Sequence, residues 1–343
     1  MLTGHSIIGL DLAKKAFQAR GASADGAVLF RRKLSRAQLL KFLGEQPPCM
    51  VAMEACASAH HWGRAIGDLG HEVRLIAPAY VKPFVKRQKN DMADAEAIAE
   101  AASRPTMRFV AAKSEEKQAA AMLYRTRDLL VRQRTQTINA LRAHLAEQGI
   151  VAPVGPAHVG RLAAAVDGDD GALPAAVRDL ARLLLDQIAG LSEKIAGLDG
   201  ELRRRASADD TARRLTTIPG VGPITAAAIT SFAPPMESFS KGRDFAAWVG
   251  LTPRQHSSGG KERLGRASKM GQRDIRKLLI VDAVAVVRWA ARKDTPEGSW
   301  LARMLARKPK MLVTVALANH MARTAWVLMC KGEDYREPAI SAA

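Results

Sequence analysis

Three cysteines in 343 residues are too few for a disulfide framework, and Cys49, Cys56 and Cys330 are too scattered for a zinc site. They fit a reducing compartment. Long apolar runs are missing too. The two longest apolar stretches, 278–290 and 311–329, are broken by Asp282 and Arg288 and by Asn319, His320 and Arg323. Neither reads as a membrane span. The N-terminal MLTGHSIIGLDLAKK has an apolar run too short and too charged for a signal peptide. A cytoplasmic protein with no membrane partner is expected. Aromatic residues make up only 5% of the chain, which leaves few platforms for stacking unpaired bases. Acidic residues are the scarcer charge, 34 against 52 Lys and Arg, and the net charge is +18. That excess favours a polyanionic partner, above all nucleic acid.

What is present reads as globular: 48% of residues are apolar and 25% are charged. The length allows two or three domains. The positive charge is concentrated. Between 251 and 278 stand eight basic residues (Arg254, Lys261, Arg263, Arg266, Lys269, Arg273, Arg276, Lys277) and two acidic ones, Glu262 and Asp274. A bound anion would relieve that repulsion.

The first third has an α/β pattern. Short apolar strands are expected at 6–12, 49–54 and 72–77, with 27–34 as the hairpin partner of the first. Helices are expected at 36–44, 61–70 and 90–102. The middle third is helical, from 114 to 148 and again from about 174. Its apolar positions Leu184, Ile188, Leu191, Ile195, Leu198 and Leu202 step by four and three, a heptad seam that predicts a coiled coil. An antiparallel pair of helices joined through 151–170 follows. The last third, from about 211, reads as mostly α.

Four carboxylates stand out. Asp11 and Glu54 each end an apolar strand, and Asp91 and Asp94 share one face of a helical segment. A carboxylate at the buried end of a strand needs a partner, such as a metal ion. An all-oxygen donor set suits Mg²⁺. Taken singly, Asp11 could cap a turn and Asp91 a helix. Next comes Thr217-Ile218-Pro219-Gly220-Val221-Gly222-Pro223 before an apolar helix. It reads as a helix-hairpin-helix whose Gly220, Val221 and Gly222 backbone holds a phosphate, or else as a plain turn. The segment 250–261 contains Ser257-Ser258-Gly259-Gly260 between Arg254 and Lys261. A serine there could be a nucleophile, although by itself the segment looks like a flexible loop. The pair His320 and Arg323, with Tyr335 downstream, and the pair His60-His61 read as core or surface groups.

These blocks occur in a telling order: Ile8-Gly9-Leu10-Asp11, Glu54-Ala55-Cys56, Lys89 to Ala95, Pro219-Gly220-Val221-Gly222-Pro223, then 250–260 and Ser268-Lys269-Met270-Gly271. In this the chain resembles the DEDD transposases of the insertion sequence one-ten family, including the Piv-type invertases. The resemblance implies a RuvC-like domain of RNase H fold at 1–112, a helical coiled-coil region at 113–207, a transposase domain with helix-hairpin-helix at 208–332 and a tail at 333–343. It implies that Asp11, Glu54, Asp91 and Asp94 bind Mg²⁺ or Mn²⁺ and that Ser258, with Ser257 as second choice, is a covalent nucleophile. It implies a bridge RNA pairing with target and donor DNA, and a homo-oligomer, a dimer of dimers, in which carboxylates and serine come from different subunits. Arg254, Lys261, Arg263, Arg266 and Lys269 would then hold phosphates. Two rivals remain: a metal-dependent nuclease or Holliday-junction resolvase using the carboxylates alone, and a non-catalytic nucleic-acid-binding scaffold.

Overall fold

The computed structural model describes residues 7–23, 25–86, 91–168, 173–293, 296 and 298–337, with the backbone alone for Asp91. By internal contacts the chain divides into two units, Met1–Glu116 and Lys117–Ala343.

The first unit is a six-stranded mixed sheet with helices on both faces. In chain order it contains β1 (Ile7–Asp11), β2 (Ala16–Ala22), β3 (Val28–Ser35), α1 (Arg36–Gly44), β4 (Met50–Glu54), α2 (Ala59–Gly67), β5 (Glu72–Ile76), α3 (Pro78–Val81), α4 (Asp91–Ala102) and β6 (Phe109–Val110). The strand order is β3-β2-β1-β4-β5-β6. β1 pairs parallel with β4, and β4 with β5, while β2, β3 and β6 join antiparallel. This is compatible with an RNase H-like domain.

The expected partner of β1 needs correcting. Residues 28–35 pair with β2, and β2 is what pairs with β1. The segment Ala16–Ala22 carries Gln18 and Arg20 and lacks an apolar run, so nothing in its pattern announces a buried strand. It is buried because neighbours cover it. Phe17 and Ala19 enter the core beneath α1 and α2. Arg20, only 8% exposed, meets Glu96 of α4 at 3.9 Å.

The two faces are read from alternate residues. Ile8, Leu10, Val51, Met53 and Leu75 pack against Leu39 and Leu43 of α1 and Trp62 and Ile66 of α2. Each such side chain, fully buried, contributes roughly 1.5–3 kcal/mol. Ala52 and Ile76 face the other way, onto Ala97, Ile98, Ala101 and Ala102 of α4. Because the central strands are covered on both sides, they read as continuous apolar runs. The Ser35 N–H donates to the Gln38 side chain at 2.9 Å, tying off the start of α1.

The second unit is mainly helical. It contains α5 (Glu115–Ala146, entering from the first unit), α6 (Val159–Asp167), α7 (Ala175–Ala208), α8 (Asp210–Thr216), α9 (Pro223–Phe232), α10 (Gly242–Val249), β7 (Pro253–Gln255), β8 (Leu264–Ala267), α11 (Arg273–Ala290), α12 (Trp300–Arg307) and α13 (Lys310–Lys331). α5 and α7 lie antiparallel. Arg127 pairs with Asp199, the Arg134 guanidinium donates to the Ser192 hydroxyl at 3.3 Å, and Ile138 shares a core with Ile188. Of the heptad positions, Ile188, Leu191, Ile195 and Leu202 are buried. Leu202 belongs to the larger core formed by α8 to α13, which also contains Phe232, Phe245, Leu279 and Val313. Among the described residues, no helix is long and apolar enough to cross a membrane.

Candidate functional site

The carboxylates come first. Leu10 pairs with Met53, so the next residues along, Asp11 and Glu54, end neighbouring parallel strands at matching height. Asp11 lies two residues beyond Gly9, and Glu54 two beyond Ala52, so both share the face covered by α4. Gly9 sets how closely that helix lies. A Cβ there would come within 2.3 Å of the Ala95 carbonyl oxygen and 2.8 Å of the Ala99 nitrogen. Toward its C-terminus, α4 packs with Ile7 and Met50, at the starts of β1 and β4. The helix therefore runs antiparallel to these strands, with its N-terminal end on the side of the strand ends that carry Asp11 and Glu54. Gln18 lies opposite Asp11 on β2, and Lys33 opposite Gln18 on β3; both escaped notice in the sequence because β2 did.

α4 is held in place by charge. Glu96 meets Lys86 at 2.6 Å, Arg31 at 3.4 Å and Arg20 at 3.9 Å. The hydrogen bond from Lys86 holds its carboxyl below the usual range, with burial opposing and the Arg20, Lys86 and Arg31 charges assisting. Among the described residues, no group of three or more His, Cys, Asp or Glu is positioned to hold a metal ion. The Asp91 side chain lies outside the described residues, and neither Asp11 nor Glu54 is without a partner. In donor chemistry the set fits a hard divalent cation, since every member offers carboxylate oxygen.

The serines sit in structure, not in a flexible loop. β7 and β8 form a two-stranded antiparallel ribbon with Gln255 opposite Leu264. The ribbon continues past the strands: the His256 N–H donates to the Arg263 carbonyl at 2.8 Å, and the Lys261 N–H to the Ser258 carbonyl at 3.1 Å. Gly259 and Gly260 both have positive φ, +56° and +75°. This is the two-residue type I′ hairpin turn that glycine favours. Ser258 is the last residue before the turn, bridged to Lys261 after it. The neighbouring serine is engaged, because the Ser257 hydroxyl accepts the Arg263 N–H at 3.1 Å. Among the described residues, the Ser258 hydroxyl makes no hydrogen bond, and the residue is exposed.

The base of the ribbon is anchored. The Arg276 guanidinium donates to the Val249 carbonyl at 2.7 Å, and Arg254 to the Ser268 carbonyl at 3.2 Å. Burial and the nearby Arg273 lower the Arg276 pKa. Lys269 is the only described non-glycine residue with positive φ, +55°. Strain of that kind is retained where the surroundings enforce it. Arg254, Lys261, Arg263 and Arg266 are exposed along the ribbon, and Lys269 lies at its base.

The Pro-Gly-Val-Gly-Pro segment is the turn between α8 and α9. Gly220 has φ +89°, and a Cβ there would come within 2.4 Å of Val286. The Val221 side chain is buried, so only its backbone can meet a ligand. Gly222 caps α9. His320, Arg323 and Tyr335 line one groove of about 680 Å³. His320 stacks on Trp300 with centroids 5.6 Å apart, and burial followed by Arg323 lowers its pKa. The Lys113 N–H donates to His60 Nδ1 at 3.2 Å, a structural contact.

A family model described as "Transposase IS116/IS110/IS902 family" matches residues 212–296. A model of DEDD-type IS110 transposases matches residues 8–149. A "Probable family 20 transposase" of Pseudomonas aeruginosa is 46% identical over 96% of this chain and 98% of its own length. The "Transposase for insertion sequence element IS1328" of Yersinia enterocolitica is 42% identical over 95% and 97%. The one for IS1111A of Coxiella burnetii is 37% identical over 96% and 91%. A DEDD-type domain points to dependence on a divalent metal, and a transposase acts on DNA. With sequence matches at this level across nearly its whole length, the chain belongs to the IS116/IS110/IS902 family of transposases, enzymes of DNA recombination.

Proposed function

We propose that this transposase cuts and rejoins DNA through a phosphoserine link formed by Ser258. The observation that carries the reading is the ribbon tip, where an exposed hydroxyl stands on a cation-rich hairpin beside Lys261. The Ser258 oxygen attacks a backbone phosphorus, an Oγ–P bond forms, and the bond to the 3′ oxygen breaks. Lys261 and Arg263 neutralise charge on the phosphate, and Arg254, Arg266 and Lys269 hold the backbone on either side. Because the phosphoester is kept in the enzyme–DNA link, attack by a new 3′-hydroxyl reseals the strand without ATP. Asp11, Glu54, Asp91 and Asp94 are the residues that would hold divalent metal, Mg²⁺ or Mn²⁺, which when bound polarises phosphate and stabilises the leaving oxygen.

The finer parts of the reading follow the family resemblance. The turn at Gly220 to Gly222 acts as a helix-hairpin-helix phosphate contact, and the α7 seam serves as a coiled coil in a dimer of dimers. A bridge RNA supplies sequence recognition by pairing with target and donor DNA, which suits a protein rich in phosphate-binding cations and poor in aromatics. The test is formation of a detergent-resistant protein–DNA adduct. Wild type and Ser257→Ala should form it, while Ser258→Ala should not. Chelation of divalent metal or Asp11→Asn should reduce strand exchange at least 10²-fold, within the range set by loss of a main catalytic group. Normal cutting by Ser258→Ala would leave the resolvase reading in its place.

A further inference from the structure

We propose that the groove lined by His320, Arg323 and Tyr335 is a second seat for the DNA backbone, apart from the ribbon and from the turn at Gly220 to Gly222. Lys241 and Arg243 at the start of α10, Lys331 on α13 and Arg336 beyond it line the same groove of about 680 Å³. With Arg323 they make five cations, all exposed. Two carboxylates, Glu333 and Asp334, share the lining, so positive charge is in excess.

Three separate stretches of chain are brought together to make it. Gly242 lets the first turn of α10 lie directly on α13: a Cβ there would come within 3.1 Å of the Arg323 carbonyl oxygen and 3.3 Å of its Cα. That contact brings Lys241 and Arg243 to Arg323. α13 stops at Gly332, whose φ of +67° turns the chain out of the helix. The tail is then tied down, because the Thr217 hydroxyl accepts the Tyr335 N–H at 2.8 Å. Among the described residues, none of the five cations makes an ion pair or a side-chain hydrogen bond. Guanidinium groups elsewhere in the same unit find carboxylates: Arg204 and Arg205 reach Glu201, and Arg213 reaches Asp210. Unpaired cations gathered in one groove repel one another, and a polyanion relieves that repulsion.

The chemistry suits a phosphate backbone. A concave wall of one sign focuses its field on the ligand. Guanidinium groups grip phosphate through paired N–H donors, and ammonium groups add point charge. Such contacts hold a backbone without reading its sequence. The choice of DNA rests on the serine reading above. α10 has eight residues, so it spans about 12 Å between the groove and the ribbon base at Gly250. Phosphates follow one another about every 3.4 Å along the axis of one strand. A strand held at the ribbon base needs only about three or four nucleotides to cover that length.

The test is binding by the full chain, freed of copurified nucleic acid and with divalent metal chelated. The probes are a random-sequence duplex DNA and a stem-loop RNA of equal length. Fluorescence anisotropy between about 50 and 400 mM salt gives the slope of log affinity against log salt. Arg243→Gln and Lys331→Gln should each make the DNA slope shallower by about one and weaken DNA binding roughly tenfold near 0.1 M salt. The two together should lose about 10²-fold. Arg243→Lys and Lys331→Arg, which keep the charge, should keep the slope. Lys194→Gln with Arg203→Gln, exposed cations of α7 outside the groove, should leave the DNA slope as it is. RNA binding should change less than DNA binding. Melting temperatures should hold, and the single variants decide the matter if the double variant fails to fold. An unchanged DNA slope overturns the proposal, as does an equal loss from the α7 pair, which marks general charge attraction. A loss as large or larger on RNA assigns the groove to RNA and overturns the choice of DNA. The binding needs no chemistry, so adduct from Ser258→Ala would overturn the serine reading and leave the slopes to be read by themselves.

Discussion

Gly9 shows how a single absent side chain sets the position of a helix. Any Cβ there strikes the backbone of α4 at Ala95 and Ala99, where no side chain can move aside. Gly9→Ala should push α4 outward, costing about 1–3 kcal/mol of stability by overpacking. It should also weaken metal-dependent strand exchange by more than the lost stability explains. Denaturant unfolding and exchange assays on one preparation separate the two effects. Asp282 supplies a second residue-level test. Its carboxyl is pushed up to about 6 by burial, with a hydrogen bond from Thr225 opposing. Its Oδ2 is buried without a partner among the described residues. The folded pKa lies above the ordinary 3.8, so the folded state holds the proton more tightly. Stability is therefore greatest below about pH 4, falls as pH rises toward 6 and levels off above. Asp282→Asn should remove that slope and stabilise the protein at pH 7 by on the order of 1–2 kcal/mol. Urea melts at pH 4.5 and pH 7 decide it. Neither residue's environment is visible in the sequence, because each is made by a helix far along the chain.

Elements whose side chains follow one period were legible. The helix at 36–44 and the long helices around 115–146 and 175–208 appear where the pattern puts them. The strands at β1, β4 and β5 do too, since burial on both faces leaves an unbroken apolar run. Two elements were not. β2 is polar and small, and becomes a strand because Glu96 answers Arg20 and Gly21 makes room for Phe30. The ribbon of β7 and β8 is short and largely exposed, with Leu264 its one large apolar side chain, so no hydrophobic alternation marks it. It is specified by turn chemistry instead. Gly260→Val, which places a β-branched residue at φ +75°, should cost the hairpin at least the roughly 1–2 kcal/mol of a left-handed residue. Because the tip is exposed, the melting temperature should hardly move, while adduct formation should fall sharply. A large drop in melting temperature would show that the ribbon helps hold up the helical unit, contrary to its exposure.

At the scale of the whole molecule, charge and assembly matter. A chain at +18 with few aromatics should bind nucleic acid mainly through phosphates. If 6–10 phosphates are neutralised, affinity should fall about 10³–10⁵-fold between 50 and 200 mM salt. A shallow salt slope would point to base stacking. The proposal that sites are shared between subunits makes a sharper prediction: Asp11→Ala and Ser258→Ala proteins, each inactive alone, should recover strand exchange when mixed and allowed to exchange subunits. No recovery, with exchange shown by labelled protein, would place both groups in the same subunit. The sequence by itself determined the polyanion partner, the helical periods and the order of motifs that marks the family. Local chemistry suffices for these, because charge and period reside in neighbouring residues. Only the tertiary structure decided which carboxylates share the α4 face and which serine keeps a free hydroxyl. Those depend on strand register and on which face each residue takes, and register is settled by partners distant in the chain.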